Sequence, residues 1–359
     1  MKGSRGARVL EPGSLPTQEQ VARALADVVA SAGSHAEALD QLEEWSRSVG
    51  YFDHLPRGNL RLAAWDARLR VEMRLQVNYS RLGYKPGERA PGQPANPLAW
   101  ENVASAWKPL LRAHELRLAG VEYFAHATPF PLCDGHFVVN VRREEPMRMG
   151  GAAVREMAAF LSGAPGWLAA SNSDVEWAGA SVLCHHHFQA FRSLRLPVEC
   201  ASRRLVVEDG GVVASALDWP APVLLLQGTE ASVLERGAAL IDAWKCADPG
   251  RSTCNLLLRR CGGGLSLHVF LRHPAFRTPR ALREVKSEGV GIIEMAGEII
   301  VPPLASLDEA GNAALFSARL LEIANGIIGA NGPAVGDDVL LALMKRRAVT
   351  WRPKEPSNG

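Results

Sequence analysis

The stretch NSDVEWAGASVLCHHHFQAF, residues 172–191, decides how the chain is interpreted, because it contains three consecutive histidines. Alternate side chains of an extended strand share a face. His185, His187 and Gln189 would then line one face, whereas His186 would point to the other. A three-histidine zinc site needs all three rings to converge, which a flat strand forbids. The unit to be explained is therefore two histidines and a glutamine.

Small residues precede this predicted strand, namely Gly179, Ala180 and Ser181. Backbone N–H groups of small residues can approach an anion closely, and Ser181 adds a hydroxyl donor. Asn172 ends the preceding predicted strand, and its side chain can reach the same small-residue turn. Imidazoles, a hydroxyl, an amide and a small-residue turn suit a phosphate whose phosphorus is attacked by a nitrogen.

Composition sets broad limits on the protein. The chain has 359 residues, 47% of them hydrophobic, which is enough for a large core in one domain or two. A net charge of +2 produces no strong electrostatic field that would attract nucleic acid or a membrane. No run of about twenty apolar residues is seen, so we expect no transmembrane helix. Six cysteines without a CxxC pair favour free thiols and a cytoplasmic protein.

Local patterns predict the order of helices and strands. Thr17 with Gln20 forms a capping box for a first helix, and Ser34 caps a second. The proline- and glycine-rich residues 83–102 predict a long loop that is functional or mobile. Hairpins and helices then mix without regular βαβ alternation, and residues 289–303 are predicted to be extended. The pattern favours an α+β fold with mainly antiparallel sheet.

The spacing around the histidines resembles the histidine-triad (HIT) superfamily, in its nucleotidyltransferase and phosphorylase branch. The hydrolase branch has His-x-His-x-His, whereas the transferase branch places glutamine third, as Gln189 stands here. That branch includes galactose-1-phosphate uridylyltransferase, diadenosine tetraphosphate phosphorylase and the GDP-hexose phosphorylases. The continuation HFQAF is most similar to the GDP-L-galactose and GDP-D-glucose phosphorylases.

A second stretch, residues 123–141, resembles the proline-containing segment of the superfamily's nucleotide pocket. The resemblance implies substrate contacts from Thr128, Pro129 and His136. An asparagine or aspartate is usual near positions 126–128, and its absence here puts the ribose contact in doubt. A weaker likeness to the second half of double-module phosphorylases follows, and there Arg272 is a candidate anion contact.

The resemblance implies a HIT-like fold, with two half-barrel-like modules of mainly antiparallel sheet and packed helices. It divides the chain into a disordered arm (1–16), an N-terminal helical segment (17–68), a double-module catalytic domain (69–349) and a polar tail (350–359).

The resemblance also implies a double displacement. His187 would attack the α-phosphorus of a nucleoside diphosphate compound and carry the nucleotide as a nucleotidyl-imidazole. His185 would orient the site, Gln189 could not act as an acid, and Ser181 with the amides of residues 179–181 would hold phosphate oxygens. Phosphate or a sugar phosphate would be the co-substrate.

Several interpretations stay open at this point. The loop at 84–97 lacks the cysteines of zinc-binding uridylyltransferases, so we expect no metal, and no other cofactor. The first hypothesis is phosphorolysis of a nucleotide-sugar of the GDP-hexose type. The alternatives are a hydrolase or phosphorylase of dinucleoside polyphosphates such as Ap4A, and a non-catalytic nucleotide-binding protein. We expect no nucleic-acid or membrane partner, and a homodimer stays open.

Overall fold

The computed structural model describes residues 10–55, 58–79, 93–347, 349, 351 and 353. Two helices come first, α1 (Gln18–Ala32) and α2 (His35–Ser48). Both caps are as predicted: the N–H of Gln20 donates to Thr17 Oγ1 at 3.3 Å, and the N–H of Ala36 donates to Ser34 Oγ at 3.0 Å. These bonds satisfy backbone donors that a helix cannot pair internally.

A ten-stranded antiparallel sheet forms the centre of the molecule. Its elements are β3 (His114–Leu118), β4 (Val121–Ala127), β5 (His136–Val141), β6 (Trp167–Ser171), β7 (His187–Arg192), β8 (Arg203–Asp209), β9 (Val212–Leu217), β10 (Val223–Gly228), β11 (Thr253–Cys261) and β12 (Gly264–Arg272). Two helices lie between them in the chain, α3 (Gly151–Gly163) and α4 (Glu230–Ala247). The order across the sheet is β3-β4-β5-β7-β6-β11-β12-β10-β9-β8.

This order shows an internal duplication. The first module runs β3-β4-β5-α3-β6-β7 and the second runs β8-β9-β10-α4-β11-β12. The modules join where β6 pairs with β11, with Ala170 opposite Leu257. The predicted α+β fold with mainly antiparallel sheet is confirmed. The two expected half-barrels are halves of one continuous sheet, since the central strand pair carries its hydrogen bonds across the join.

A smaller sheet, with strand order β1-β2-β13, completes the strands: β1 (Leu60–Asp66), β2 (Val71–Val77) and β13 (Glu298–Val301). The remaining helices are α5 (Ile292–Met295), α6 (Glu309–Asn331) and α7 (Asp337–Met344). Apolar residues of the large sheet divide between two core clusters. One includes α1, α2, α3, α4 and α7, and the other includes the small sheet, α5 and α6.

The structure changes the expected segment boundaries in three places. Residues 10–16 of the expected arm contact α2, where Trp45 Nε1 donates to Ser14 O at 3.0 Å; residues 1–9 lie outside the described chain. The expected helical segment contains β1, whose hairpin with β2 crosses the boundary at 68/69. In the expected polar tail, Trp351 is buried against Trp244, because its indole adds apolar area to the core.

One further expectation is wrong. Residues 289–303 are not wholly extended, since α5 lies within them. Helix α6 is long and apolar enough to cross a membrane by length and composition alone, so the absence of a transmembrane helix stays a prediction. Core helices of globular proteins meet the same criterion, and α6 buries Phe316, Leu320 and Ile323 in the second core cluster.

Candidate active site

His187 is the first residue of β7 and has a fixed ring orientation. Its Nδ1 lies 2.8 Å from the carbonyl oxygen of His185, which can only accept a hydrogen bond. The proton of a neutral ring therefore sits on Nδ1, and Nε2 carries a lone pair. Nε2 makes no hydrogen bond to the described residues, so this lone pair is free for chemistry.

Burial keeps this ring neutral. Only 8% of the His187 surface is exposed. Burial lowers the pKa of His187 to about 4, an effect that the hydrogen bond to His185 O opposes and the neighbouring histidines reinforce. At pH 7 the imidazole is therefore unprotonated, as a nucleophile must be.

His185 precedes β7 and is not part of the strand, which differs from the predicted extended run. Both of its nitrogens are engaged. Nε2 donates to Val141 O at 2.7 Å, and Nδ1 lies 2.9 Å from Asn96 Nδ2. The amide of Asn96 also donates to Glu144 Oε1 at 2.9 Å. His185 is fully buried, and its two side-chain hydrogen bonds fix the segment that leads into β7. Its carbonyl oxygen orients the ring of His187.

Gln189 and His136 form a pair on neighbouring strands. Register places Gln189 opposite Val138, and His136 Nε2 donates to Gln189 Oε1 at 3.0 Å. The other ring nitrogen of His136 accepts from the N–H of Leu132 at 3.1 Å. The amide oxygen of Gln189 is thereby occupied, and its amide nitrogen stays available as a donor.

His186 points away from this pair, toward α3. Its Nε2 donates to Glu156 Oε2 at 3.2 Å, and Arg148 binds the other carboxylate oxygen at 2.6 Å. Burial alone raises the pKa of Glu156, but the bonds from His186 and Arg148 outweigh it and lower that pKa to about 2. His186 thus anchors the histidine run to the opposite side of the sheet.

The small-residue turn before β7 is held by the segment that leads into α5. Gly179 has a φ of 95°, and a Cβ at this position would collide with the Cα of Gly291. Asn172 Oδ1 accepts a hydrogen bond from the N–H of Ile292 at 2.9 Å and so caps α5. This oxygen is therefore occupied and does not face an open site. Ala180 is buried, whereas Ser181 is exposed with its hydroxyl free of bonds to the described chain.

The hydrogen bonds of the other expected contact residues are made outside β7. Thr128 is buried, and its N–H donates to His136 O at 3.1 Å. Pro129 O accepts from His54 Nε2 at 2.9 Å. Arg272, the candidate anion contact, is fully buried at the end of β12. Residues 84–92 of the loop expected to lack a metal lie outside the described chain.

Sequence reasoning missed Asn96 and His126. Asn96 lies 89 positions from His185, and no local pattern reports that contact. His126 lies opposite Val138, which itself lies opposite Gln189, so the two side chains share a face of the sheet. Burial lowers the pKa of His126 to about 4, and the charges of Lys108 and His187 contribute to it.

A cavity of about 330 Å³ lies beyond Leu132, between the small sheet and the segment before His136. Its polar wall includes Arg61, Arg74 and Glu298. In the described part of the chain, no group of three or more His, Cys, Asp or Glu is arranged to hold a metal ion.

Comparison with curated proteins finds galactose-1-phosphate uridylyltransferases. Those of Bacillus subtilis and Streptococcus salivarius are 27% and 23% identical over 206 and 217 residues, or 50% and 54% of this chain. The aligned part is 40% and 44% of those proteins, so the chain spans less than half the length of the curated relatives it matches. No model of a known protein family matches the chain.

Solved structures supply the fold over a longer range. Yeast Ap4A phosphorylase covers 82% of this chain and 94% of its own, with a TM-score of 0.50 and 13% identity. Its complex with Ap4A gives a TM-score of 0.53 at 12% identity and covers 97% of that chain. The chain therefore has the expected HIT-like fold. The curated relatives that it resembles are named uridylyltransferases, in line with the branch that the glutamine at position 189 predicts.

Proposed function

We propose that this chain is a HIT-superfamily nucleotidyltransferase that cleaves a nucleoside diphosphate compound, such as a nucleotide-sugar, by phosphorolysis. The nucleotide is carried as a covalent adduct on His187. The observation that carries the proposal is the state of this ring: Nδ1–H is hydrogen-bonded to His185 O, and Nε2 is unprotonated and makes no hydrogen bond to the described residues. Relatives with a nucleotidyltransferase name support the same class of reaction.

In the first step, the lone pair of His187 Nε2 attacks the α-phosphorus. A P–N bond forms, the P–O bond to the leaving phosphate breaks, and that phosphate departs with the electron pair. The proton stays on Nδ1, and its hydrogen bond to His185 O disperses the positive charge that develops on the ring. The amide nitrogen of Gln189 and the hydroxyl of Ser181 are the donors available for phosphoryl oxygens.

In the second step, an oxygen of inorganic phosphate or of a sugar phosphate attacks the same phosphorus. The P–N bond breaks, its electron pair returns to His187, and a nucleoside diphosphate or a new nucleotide-sugar is released. Gln189 has no acidic proton to give, so the adduct depends on the acceptor's own nucleophilicity. This favours transfer to phosphate over hydrolysis.

A substrate panel tests the proposal. The protein is incubated with GDP-, UDP- and ADP-hexoses, with and without inorganic phosphate, and products are separated by chromatography. Phosphate-dependent release of a nucleoside diphosphate is expected for at least one compound. Phosphate-independent release of a nucleoside monophosphate would instead establish hydrolysis, and no consumption of any nucleotide would leave only a binding protein.

Dinucleoside polyphosphates are the second substrate class to include. The structural likeness to yeast Ap4A phosphorylase over 82% of this chain favours them specifically. The same two steps apply, with a nucleoside polyphosphate as the leaving group. If Ap4A is phosphorolysed with a higher kcat/KM than any nucleotide-sugar, the proposed substrate class becomes dinucleoside polyphosphates.

A further inference from the structure

The second module buries an arginine that no acid in the described part of the chain neutralises. Arg272 is fully buried, and Nη1 donates to Asn255 Oδ1 and to Val290 O, the latter at 2.7 Å. Nε donates to Asn331 O at 3.1 Å, whereas Nη2 has no hydrogen-bond partner among the described residues. Neutral oxygens solvate this cation without compensating its charge, which makes its burial costly.

A second guanidinium lies beside the same indole. The Cζ atom of Arg277 is 4.5 Å from the ring centroid of Trp177, and that of Arg272 is 5.8 Å from it. Arg277 is exposed and donates Nε to Pro274 O. Among the described residues, no carboxylate oxygen lies within 4.0 Å of either guanidinium. Burial, reinforced by the charge of Arg277, lowers the pKa of Arg272 to about 9, so both groups are cationic at pH 7.

Other charged groups of this region are neutralised. The charge of Glu294 acts on Arg272, but its carboxylate is occupied by Lys286 Nζ at 2.6 Å and by the N–H of Gly291 at 3.0 Å. Elsewhere, the buried Arg236 binds Asp209 at 2.9 Å. Two like charges beside one indole, with no counter-ion among the described residues, are stabilised when an anion binds to the exposed guanidinium of Arg277.

This pair of arginines lies next to the turn before β7. Trp177 belongs to the segment that leads into Gly179 and Ser181, and Asn255 Nδ2 donates to Ala178 O at 2.9 Å. The chain of contacts from Arg272 through Asn255 therefore reaches the turn itself. The strand register also places the last residues of β12 and the first residues of β7 at the same end of the strands in the large sheet.

We propose that Arg272, Arg277 and Trp177 form a phosphate-binding site that the second module adds to the nucleotide site of the first. Arg277 binds the phosphate oxygens directly while it stacks on Trp177. Arg272, buried behind the indole, supplies a fixed positive charge. The site rests on the proposed function for its role, but its affinity for a phosphate group is a separate property.

Direct binding tests the site without any turnover. Inorganic phosphate and pyrophosphate are titrated calorimetrically into the full chain and into the Arg277→Ala and Arg280→Ala variants. Arg280 lies three residues further on, so its removal changes the net charge equally. Arg277→Ala is expected to weaken phosphate binding by about 10-fold or more, the scale of a charged hydrogen bond, with Arg280→Ala unchanged. Equal phosphate affinity in both variants would overturn the site.

The buried member has its own control. Arg272→Met and Arg236→Met each remove a buried guanidinium, and melting temperatures identify variants that fold. Phosphate binding is expected to fall in Arg272→Met alone. If Arg272→Met fails to fold, Arg277→Ala with its control still decides the proposal.

Single-turnover kinetics separate the two sources of phosphate. If the site holds the acceptor, Arg277→Ala slows phosphate-dependent discharge of a nucleotide adduct and leaves its formation unchanged. If the site holds a phosphate of the nucleotide substrate, formation slows and discharge is unchanged. Unaltered rates for both would overturn the role, whereas absence of any adduct in the unmodified chain would refute the proposed function and leave the binding result standing.

Discussion

At the residue scale, backbone carbonyls fix the proton position on two of the site histidines. His187 gives its Nδ1–H to His185 O, and His185 gives its Nε2–H to Val141 O. A carbonyl oxygen can only accept, so each bond selects one tautomer. The amide of Asn96 then donates to the bare Nδ1 of His185. Asn96 therefore supports the orientation of His187 through one intermediate ring.

Removal of this amide is expected to slow chemistry without unfolding the protein. In Asn96→Ala, His185 loses its Nδ1 partner, and adduct formation should fall by about 10-fold, the equivalent of one hydrogen bond of about 1.4 kcal/mol. Rapid-quench measurement gives the rate, and the melting temperature serves as the folding check. Glu144→Gln keeps an acceptor oxygen for Asn96 and should react normally. An Asn96→Ala protein with the unmodified rate would contradict this role.

At the element scale, alternation predicted β7 well but not the structure around it. The faces of His186 and Gln189 follow from the strand period, since their contacts lie on α3 and on β5 respectively. The start of β7 at His187 and the docking of Gly291 on Gly179 could not be predicted. Contacts between residues more than 100 positions apart leave no periodic signal.

The close approach of Gly179 to Gly291 gives a test of this docking. Gly179→Ala introduces a Cβ against backbone at a left-handed φ, so the turn must move. Adduct formation should fall by about 10-fold or more, the cost of a misplaced reacting group. Gly166 has a φ of 84° with open space around its Cα. Gly166→Ala therefore introduces the same kind of backbone strain as Gly179→Ala, but without a steric clash. Equal adduct rates in the two variants would show that the turn is not positioned by this contact.

At the scale of the whole molecule, similarity in fold extends over more of the chain than similarity in sequence. The relatives align with about half of the chain, whereas the Ap4A phosphorylase fold covers 82% of it. Composition and pattern predicted the α+β fold class, and residues 172–191 carried the resemblance to uridylyltransferases that the sequence comparison also finds. The burial of Arg272 and Trp351 could not be predicted, because burial of single polar or terminal residues depends on tertiary packing.

Buried histidines make the stability of this molecule dependent on pH. Burial lowers the pKa of His114 to about 3 and that of His126, His187 and His268 to about 4. The unfolded chain binds these protons near pH 6.5 and the native state does not. Their stabilising contribution is therefore complete above pH 6.5 and is lost as the pH falls toward 4.

Urea unfolding between pH 6.5 and 5 measures this loss before carboxylates titrate. Each such histidine should lower the free energy of unfolding by about 1.4 kcal/mol per pH unit once the unfolded side chain is protonated. His268→Asn removes one of them and should give a shallower slope by that amount. A free energy of unfolding that is constant over this range would contradict the burial of neutral histidines.

The central claim is that the nucleotide is transferred through Nε2 of His187. The direct measurement is intact-protein mass spectrometry after brief exposure to a reactive nucleotide-sugar or Ap4A, followed by peptide mapping. We predict a mass increase of one nucleotidyl group (a nucleoside monophosphate less one water), located on His187, that disappears when phosphate is added and is absent from a folded His187→Gly variant. An adduct that persists in His187→Gly, or that maps to another residue, would contradict the account.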